Sequence, residues 1–447
     1  MKAFKAYDIR GEWGTDWDAD LAYKIGFHLP AVLDARHFLI GRDCRLSSDE
    51  VFEALAKGLT DAGADVSDAG LTTTPLIYWA TAKYEFSASV MITASHNPIN
   101  HNGLKVSAKN AIPVGYDNGL QLVEQKILHE KIVPAARKGD IRQIELQAAY
   151  LAFLKKYQSD FGNLRIAVDC SNGMAGLFIK DLLGSDAFYI NDLPDGNFPG
   201  HDPNPLNPAN QEQIKSMVIN RQCDIGLIFD GDADRVMFID ENGKFISPDL
   251  IIALMGHYFF EQKGQKGKVL QDIRSSKAIP EYLHQFNTRV ETWRVGRAYG
   301  AAKLREMDGL YGGELAGHYY FRDFYYSDSA LLAALIVLDL LSRFKIAGFT
   351  LSNLIRNISS YFNSGEINFK IEKKSEAIQA VCNWFEKTDT PVNRMDFDGV
   401  RLDFADWWFN IRPSNTEPYL RFIAEAKSHE KLEEVITQSK TIIDGLY

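Results

Sequence analysis

The chain has 447 residues, which at roughly 100–200 residues per domain predicts three or four domains. Hydrophobic residues make up 46% and charged residues 24%, the balance of a globular protein, so extensive disorder is excluded. The net charge of −10 argues against nucleic acid or an anionic membrane as a general partner, and any phosphate site must depend on basic residues gathered locally.

The cysteines and the apolar runs bear on where the protein works. The four cysteines are far apart and form no CxxC pair, which indicates a reducing compartment and argues against a disulfide framework and a zinc site. The start of the chain is charged too early for a secretory signal. The longest apolar run, residues 330–338, is far shorter than the roughly 20 residues of a membrane span. We therefore expect a cytoplasmic protein with no membrane association, in which that run is a buried helix.

Apolar segments that end at an aspartate recur, and each is typical of a buried strand that leads into a polar loop. They are residues 38–43, 165–169 and 268–272. Residues 50–61 and 214–218 carry helical patterns. Alternating strands and helices predict parallel sheets, and three similar starts about one domain length apart predict three related α/β units. Chance recurrence of such strand ends within an α/β protein is the alternative.

The last ninety or so residues have a different pattern. Strands are predicted at residues 367–371, 400–404, 407–411 and 419–423, followed by a helix that contains Leu432, Val435 and Ile442. Strands grouped with few helices predict a small α+β domain. The expected domains are residues 1–147, 148–248, 249–360 and 361–447.

The first candidate site is the motif TASHNP at residues 93–98, with Lys105 beyond it. A tight turn after a strand would present the Ser95 hydroxyl to solvent, and His96, Asn97 and Lys105 could contact an anion. A serine nucleophile needs a neighbouring base or an already formed phosphoester. An ordinary polar turn is the alternative, because serine, asparagine and proline favour turns.

The second candidate is DGDADR at residues 230–235, after the apolar strand 225–229. The carboxylates of Asp230, Asp232 and Asp234 converge on one point if the loop curves, and Arg235 could bind a phosphate. Oxygen ligands select a hard cation such as Mg²⁺, and the loop lacks the glutamate of an EF-hand. A solvated acidic turn is the alternative, which the repulsion of three like charges after a buried strand disfavours.

The third candidate is GGELAGH at residues 312–318. Its small residues allow close approach of a ligand to the backbone, Glu314 could accept hydrogen bonds from sugar hydroxyls, and His318 could relay a proton. A plain glycine-flanked turn is the alternative.

The fourth candidate is RPSNTEP at residues 412–418, with Arg421 beyond it. Two arginines and several hydroxyl and amide donors suit a phosphate, although a surface turn between strands has the same composition. Near the start of the chain, Arg10 and Arg42 could each serve a phosphate or form a structural ion pair.

Together the four motifs resemble the α-D-phosphohexomutase family in order and spacing, over nearly the whole chain. The segments FKAYDIRG (4–11), YFRD (320–323), SGEIN (364–368) and FADW (404–407) resemble its bacterial phosphomannomutase branch. The resemblance implies three similar α/β domains with mixed sheets plus a smaller C-terminal α+β domain, arranged around a central active-site cleft.

The resemblance also implies roles for residues. Ser95 would carry a phosphoryl group and would hold Mg²⁺ together with Asp230, Asp232 and Asp234. His96, Lys105, Arg235 and His318 would assist proton transfer and neutralise charge. The residues expected to contact a hexose phosphate are Tyr7, Arg10, Arg297, Glu314, Ala316, Arg412, Ser414, Asn415, Thr416 and Arg421.

The expected activity is the interconversion of mannose 6-phosphate and mannose 1-phosphate, with hexose 1,6-bisphosphate as activator and intermediate. The expected partners are small-molecule hexose phosphates, and both a monomer and a dimer stay open. Ala316 stands where many relatives have serine, and Arg297 where phosphomannomutase-like relatives often have histidine. A glucose-directed or dual-specificity mutase is therefore the alternative, and a metal-dependent sugar phosphatase is a more distant one.

Overall fold

A computed structural model describes residues 1–414 and 419–446, and four β-sheets follow one another along this part of the chain. The strands of the first sheet are β1 (Ile9–Glu12), β2 (His37–Arg42), β3 (Asp65–Leu71), β4 (Ala88–Ile92), β5 (His101–Ala108), β6 (Ile112–Val114) and β7 (Ile141–Gln143). The accompanying helices are α1 (Ala19–Leu33), α2 (Ser48–Asp61), α3 (Thr74–Lys83) and α4 (Gln121–His129).

The second and third sheets are smaller. The second contains β8 (Ile166–Asp169), β9 (Phe188–Ile190), β10 (Ile225–Phe229), β11 (Val236–Asp240) and β12 (Phe245–Ile246), with helices α5 (Gln147–Leu154), α6 (Ile179–Leu183) and α7 (Glu212–Arg221). The third contains β13 (Val269–Asp272), β14 (Val290–Trp293), β15 (Tyr311–Gly313), β16 (Tyr319–Phe321) and β17 (Ser327–Asp328), with helices α8 (Pro248–Gly256), α9 (Ala278–Leu283), α10 (Arg297–Glu306), α11 (Ala330–Ile346) and α12 (Leu351–Ile358).

These three sheets share one strand pattern. A central strand (β2, β8 or β13) has a parallel neighbour on each side. One of these neighbours (β4, β10 or β15) is followed in the sequence by a strand (β5, β11 or β16) that pairs with it in the antiparallel direction. The antiparallel pairs are β4–β5, β10–β11 and β15–β16. The prediction of three related α/β units is confirmed. The mixed sheets that the resemblance implied are also confirmed. The parallel sheets predicted from alternation alone are wrong for the returning strands, because each pairs directly with the strand before it through a loop and not through a crossover helix.

The fourth sheet, within the described residues, is antiparallel. Its strands are β18 (Phe362–Asn363), β19 (Ile367–Phe369), β20 (Asn393–Met395), β21 (Val400–Asp403), β22 (Trp407–Pro413) and β23 (Leu420–Ala426), with helices α13 (Lys374–Thr388) and α14 (His429–Asp444). Helix α13 is absent from the sequence prediction. Its buried residues Ala377, Val381, Cys382 and Phe385 lie at helical spacing, which is the signal that could have revealed it.

One hydrophobic cluster runs through the first three sheets, whereas the fourth has its own. Tyr150 on α5 is fully buried at the junction of the first three, with its ring centroid 5.5 Å from Trp79, 5.4 Å from Phe178 and 6.3 Å from Phe324. We propose domain boundaries near residues 147, 248 and 360, each of which separates two sheets. The apolar run 330–338 lies in buried helix α11, as predicted.

Candidate active site

Three of the candidate motifs occupy equivalent places, each in the loop of an antiparallel pair. The serine loop (residues 93–100) joins β4 to β5, the aspartate loop (230–235) joins β10 to β11, and the glutamate loop (314–318) joins β15 to β16. The three loops meet. A side chain on Gly231 would lie 2.5 Å from the Ser95 carbonyl oxygen, and Arg235 forms a β-bridge with His318.

Ser95 is buried, with 3% of its surface exposed, and its backbone φ is 53°. Its Oγ donates a hydrogen bond to Oδ2 of Asp230 at 2.6 Å. The expectation that the hydroxyl faces solvent is therefore wrong, because the aspartate loop of the second domain covers it. His96 Nδ1 lies 3.3 Å from the same Oγ, and burial followed by the charge of Arg235 lowers the pKa of His96.

The carboxylates of Asp230, Asp232 and Asp234 are fully buried and converge, with one oxygen from each within 4.8 Å of the others. Left-handed backbone at Ala233 (φ 60°) supplies the predicted bend of the loop. Burial and the neighbouring charge of Asp234 raise the pKa of Asp230. Charge of one sign is thus concentrated where solvent is excluded.

Two basic residues offset this charge. Lys105 Nζ donates hydrogen bonds to Oδ2 of Asp232 at 2.6 Å and to Oδ2 of Asp234 at 2.5 Å. Arg235 Nε donates to Oδ2 of Asp230 at 2.9 Å, and its Nη2 lies 3.5 Å from Ser95 Oγ. Burial lowers the pKa of Lys105, but the two carboxylates outweigh it and the pKa is raised. Lys105 therefore stays an ammonium ion.

In the glutamate loop, Glu314 and His318 are both held by other side chains. Glu314 is buried and accepts a hydrogen bond from Tyr320 Oη at 2.5 Å. His318 Nδ1 lies 2.7 Å from Oδ2 of Asp328. Burial lowers the pKa of His318, but Asp234 and Asp328 outweigh it and the pKa is raised. Ala316 is half-buried in the same loop.

Three residues predicted to contact substrate lie around these loops. Arg297, at the start of α10, has its guanidinium carbon 4.3 Å from the Tyr78 ring centroid. Tyr7 Oη donates to the Val295 carbonyl oxygen at 3.1 Å, which joins the first domain to the third. Arg10 donates to Oδ1 of Asn97 in the serine loop at 2.8 Å.

The fourth motif lies where two strands of the C-terminal sheet meet. Arg412 and Arg421 are register partners on β22 and β23, where two like charges repel each other. Carboxylates offset part of this repulsion, because Arg421 pairs with Glu366 at 3.0 Å and Arg412 lies 3.8 Å from Asp398. Arg412 is buried, and its Nε and Nη1 have no hydrogen-bond partner within the described residues. Ser414 donates its backbone N–H to the Tyr419 carbonyl oxygen at 2.9 Å. Asn415 and Thr416 lie outside the described residues.

Four family models match the chain in order. They describe phosphoglucomutase/phosphomannomutase α/β/α domain I at residues 1–132, domain II at 148–243, domain III at 247–361 and the C-terminal domain at 366–439. The chain belongs to the phosphoglucomutase/phosphomannomutase family. It is thus a phosphohexomutase, an enzyme of the isomerase class.

Individual relatives agree with this family membership. The chain is 35% identical to the phosphomannomutase of Escherichia coli K12 over 452 residues, which covers 98% of both chains. It is 33% identical to the phosphomannomutase of Methanocaldococcus jannaschii over 453 residues, with 100% and 98% covered. A crystal structure of a phosphoglucomutase/phosphomannomutase family protein from Burkholderia thailandensis superposes with a TM-score of 0.88 at 26% identity, with 100% and 97% covered.

The aspartate loop of this phosphohexomutase suits a hard cation. Oδ1 of Asp232 and Oδ1 of Asp234 are buried and have no hydrogen-bond partner within the described residues. Buried carboxylate oxygens are costly without a partner. Together with Asp230, these two aspartates offer the carboxylate oxygens that Mg²⁺ prefers. Among the residues that the structure describes, every helix is too short or too polar to cross a membrane.

Sequence reasoning missed two charged residues of the site. Arg274 is buried 2.7 Å from Oδ2 of Asp272 and 3.8 Å from Oε2 of Glu314. Burial, followed by the charge of Arg274, lowers the pKa of Arg412. Asp328 is buried against His318. Arg274 follows the predicted strand that ends at Asp272, so its position was a usable signal. Arg42 pairs with Asp49 at 2.6 Å and Asp68 at 2.8 Å, the structural alternative considered for it.

Proposed function

We propose that this phosphohexomutase is a phosphomannomutase that interconverts mannose 6-phosphate and mannose 1-phosphate through a phosphorylated Ser95. The single observation that carries the proposal is the 2.6 Å contact of Ser95 Oγ with Asp230, inside a buried cluster of carboxylate and positively charged side chains. Phosphoryl transfer depends on positioning and charge stabilisation, and this cluster offers both.

The proposed reaction transfers a phosphoryl group twice. Phosphorylated Ser95 gives its phosphoryl group to O6 of mannose 1-phosphate, which yields mannose 1,6-bisphosphate and a free serine. The bisphosphate turns around in the site, and its other phosphoryl group passes to Ser95, which releases mannose 6-phosphate. The phosphate count is unchanged, and a hexose 1,6-bisphosphate can phosphorylate the free enzyme.

The basic side chains of the cluster would neutralise the charge that moves. Arg235 Nη2 lies 3.5 Å from Ser95 Oγ, and Lys105 donates hydrogen bonds to Asp232 and Asp234. His318, held by Asp328, would pass a proton to or from the sugar hydroxyl. His96, next to Ser95, is a further candidate for that exchange.

Asp230, Asp232, Asp234 and Ser95 are the residues that would hold Mg²⁺. A bound Mg²⁺ withdraws electron density from a phosphoryl group and so makes it a better donor. The buried Oδ1 atoms of Asp232 and Asp234, which have no hydrogen-bond partner among the residues described, support this assignment.

The phosphate that does not react needs a separate site. Arg412 and Arg421 are the candidates, together with Ser414, Asn415 and Thr416. The hydrogen-bonding capacity of the buried Arg412 supports this role, because guanidinium groups bind phosphate through paired N–H donors. Since the bisphosphate presents either end, this site must accept both orientations of the sugar.

The proposed contacts to the sugar and its phosphates are Glu314, Ala316, Arg297, Tyr7 and Arg10. Mannose and glucose differ only in the orientation of the C2 hydroxyl. The family resemblance implies serine in many relatives at the position of Ala316 and often histidine in phosphomannomutase-like relatives at the position of Arg297, which makes a phosphoglucomutase or a dual-specificity enzyme the second candidate.

Parallel steady-state kinetics with mannose 1-phosphate and glucose 1-phosphate test the choice of sugar, with Mg²⁺ and a trace of hexose 1,6-bisphosphate present. A higher kcat/KM for mannose 1-phosphate is expected. Equal values would establish dual specificity, and a reversed order would contradict the mannose assignment.

The serine mechanism has its own test. Intact-mass measurement after incubation with hexose 1,6-bisphosphate should add one phosphate to the wild-type protein and none to Ser95→Ala, and that variant should lose turnover. Unchanged turnover in Ser95→Ala would contradict the mechanism. Release of inorganic phosphate from mannose 1-phosphate without Ser95 phosphorylation would favour a sugar phosphatase built on the aspartate loop.

A further inference from the structure

A buried arginine that lies outside the proposed contacts to substrate and metal occupies the centre of the serine loop. Arg45 follows β2 in the first domain, and none of its side-chain surface is exposed. The sequence patterns that predicted the phosphate and metal sites do not include it.

Every terminal N–H of Arg45 is used by the serine loop or the residue that follows it. Nη2 donates to the carbonyl oxygens of Ser95 at 2.9 Å and Asn97 at 2.6 Å. Nη1 donates to those of Pro98 at 2.7 Å and His101 at 3.0 Å. Four carbonyl groups from one short segment therefore converge on one guanidinium group.

The other sides of the guanidinium are also enclosed. Nε lies 3.3 Å from Oδ2 of Asp43, whose Oδ1 accepts hydrogen bonds from the Arg45 backbone N–H and the Ser48 hydroxyl. The Phe198 ring of the second domain covers the guanidinium, with its centroid 5.1 Å from the guanidinium carbon. Phe198 is buried with a φ of 45°, a costly conformation for an aromatic residue.

The serine loop needs such support, because Ser95 itself has left-handed backbone with a φ of 53°. That conformation persists only where the surroundings over-determine it. Arginine is the side chain that can do so here, since its planar group offers five N–H donors in fixed directions, whereas lysine offers three around a point.

We propose that Arg45 is a positioning residue for phosphoryl transfer: it gathers the carbonyl groups of the serine loop so that Ser95 Oγ faces the aspartate loop. The inference rests on the proposed role of Ser95. Because Phe198 belongs to the second domain, the same guanidinium also sets how the serine loop lies against the domain that carries the aspartates.

The test compares Arg45→Met and Arg45→Lys with Arg42→Met. Arg42 is the matched control, because it is the last residue of β2, the strand that precedes Arg45, and its replacement removes the same charge. Its partners are Asp49 and Asp68 and not the serine loop. Each variant is phosphorylated with hexose 1,6-bisphosphate. The single-turnover rate of transfer to a hexose 1-phosphate is then measured alongside kcat, KM and the thermal midpoint.

A misplacement of about 1 Å at a reacting group can cost about 100-fold in rate, so Arg45→Met should lower kcat and the single-turnover rate by about that factor. KM for the hexose phosphate should stay within about twofold, because the contacts to substrate are intact. Arg45→Lys should recover part of the loss, since it can reach some of the carbonyl groups. Arg42→Met should keep the wild-type kcat.

The proposal is overturned if the Arg45 variants keep the single-turnover rate of Arg42→Met, or if their activity falls only in proportion to the fraction of folded protein. Should Arg45→Met not fold, Arg45→Lys decides by the same criteria. Failure of the proposed function gives a different result: wild-type protein that takes no phosphate on Ser95 and transfers none.

Discussion

The C-terminal domain has its own hydrophobic cluster and contacts the third domain through a polar joint centred on Arg401. Nη1 of this buried side chain donates to the carbonyl oxygens of Ile273 at 2.8 Å and Ser275 at 2.6 Å. Its Nε donates to Asp403 at 2.9 Å, and its guanidinium carbon lies 3.8 Å from the Trp408 ring centroid. We predict that Arg401→Met weakens the attachment of the C-terminal domain.

The size of the effect follows from these contacts. Hydrogen bonds to a charged group contribute about 1.5–3 kcal/mol each, and removal of one partner from a buried ion pair costs about 3–5 kcal/mol. The two contributions overlap, because Asp403 is both a hydrogen-bond acceptor and the counter-ion of Arg401. Methionine keeps the apolar contact with Trp408. The expected loss is about 3–5 kcal/mol. At about 4–8 °C per kcal/mol for a domain of this size, the first thermal transition should fall by about 10 °C or more.

Differential scanning calorimetry measures that transition, and limited proteolysis between α12 and β19 reports release of the domain. Arg394→Met is the control. Arg394 also pairs with two carboxylates, of Glu386 at 2.5 Å and Asp396 at 2.8 Å, but it is 38% exposed on the surface, where such pairs contribute at most about 1 kcal/mol. Equal shifts for Arg401→Met and Arg394→Met would refute the reasoning.

Three further predictions concern the metal, pH and packing. Asp232→Asn should raise the Mg²⁺ concentration needed for half-maximal turnover at least about tenfold, measured by titration of activity after chelation. Burial lowers the pKa of His201, but its 2.9 Å contact with Asp169 outweighs this and raises the pKa. The stabilisation by protonated His201 should therefore be complete below about pH 6.5 and should be lost as the pH rises through the raised pKa. His201→Gln should consequently lower the thermal midpoint more at about pH 5.5 than at about pH 8.5. Gly58→Ala would place a methyl group 2.1 Å from the Tyr23 carbonyl oxygen, where α1 and α2 cross, and should cost about 1–3 kcal/mol in thermal or urea unfolding.

Each of these has an outcome that contradicts it. An unchanged Mg²⁺ titration in Asp232→Asn would remove this carboxylate from the metal site. A difference in thermal midpoint between wild type and His201→Gln that does not change with pH would mean that folding does not raise the pKa of His201. Gly445→Ala is the packing control, since its new methyl group would lie no closer than 3.5 Å to other atoms. Equal destabilisation by both alanines would show that the helix crossing is not the cause.

The local features of the fold could be predicted from the sequence. Strand ends at aspartates, the buried run 330–338 and the convergence of Asp230, Asp232 and Asp234 depend on the order of polar and apolar residues over a few positions. Helix α13 was missed although its pattern was present. The alternation of strands and helices alone predicted parallel sheets, and the mixed sheets were expected only from the family resemblance, because strand direction depends on which strands pair.

The order of the motifs along the chain determined the family and the kind of chemistry, because motif order and residue type are properties of the sequence alone. Only the tertiary structure decided that the Ser95 hydroxyl is buried against Asp230, that Arg274 is buried beside Glu314, and that Arg45 fills the serine loop. The physical reason is the same for all three. Each contact joins segments dozens of residues apart in the sequence, and burial, charge and hydrogen bonding at such a contact depend on how strands, loops and domains pack rather than on neighbours in the chain.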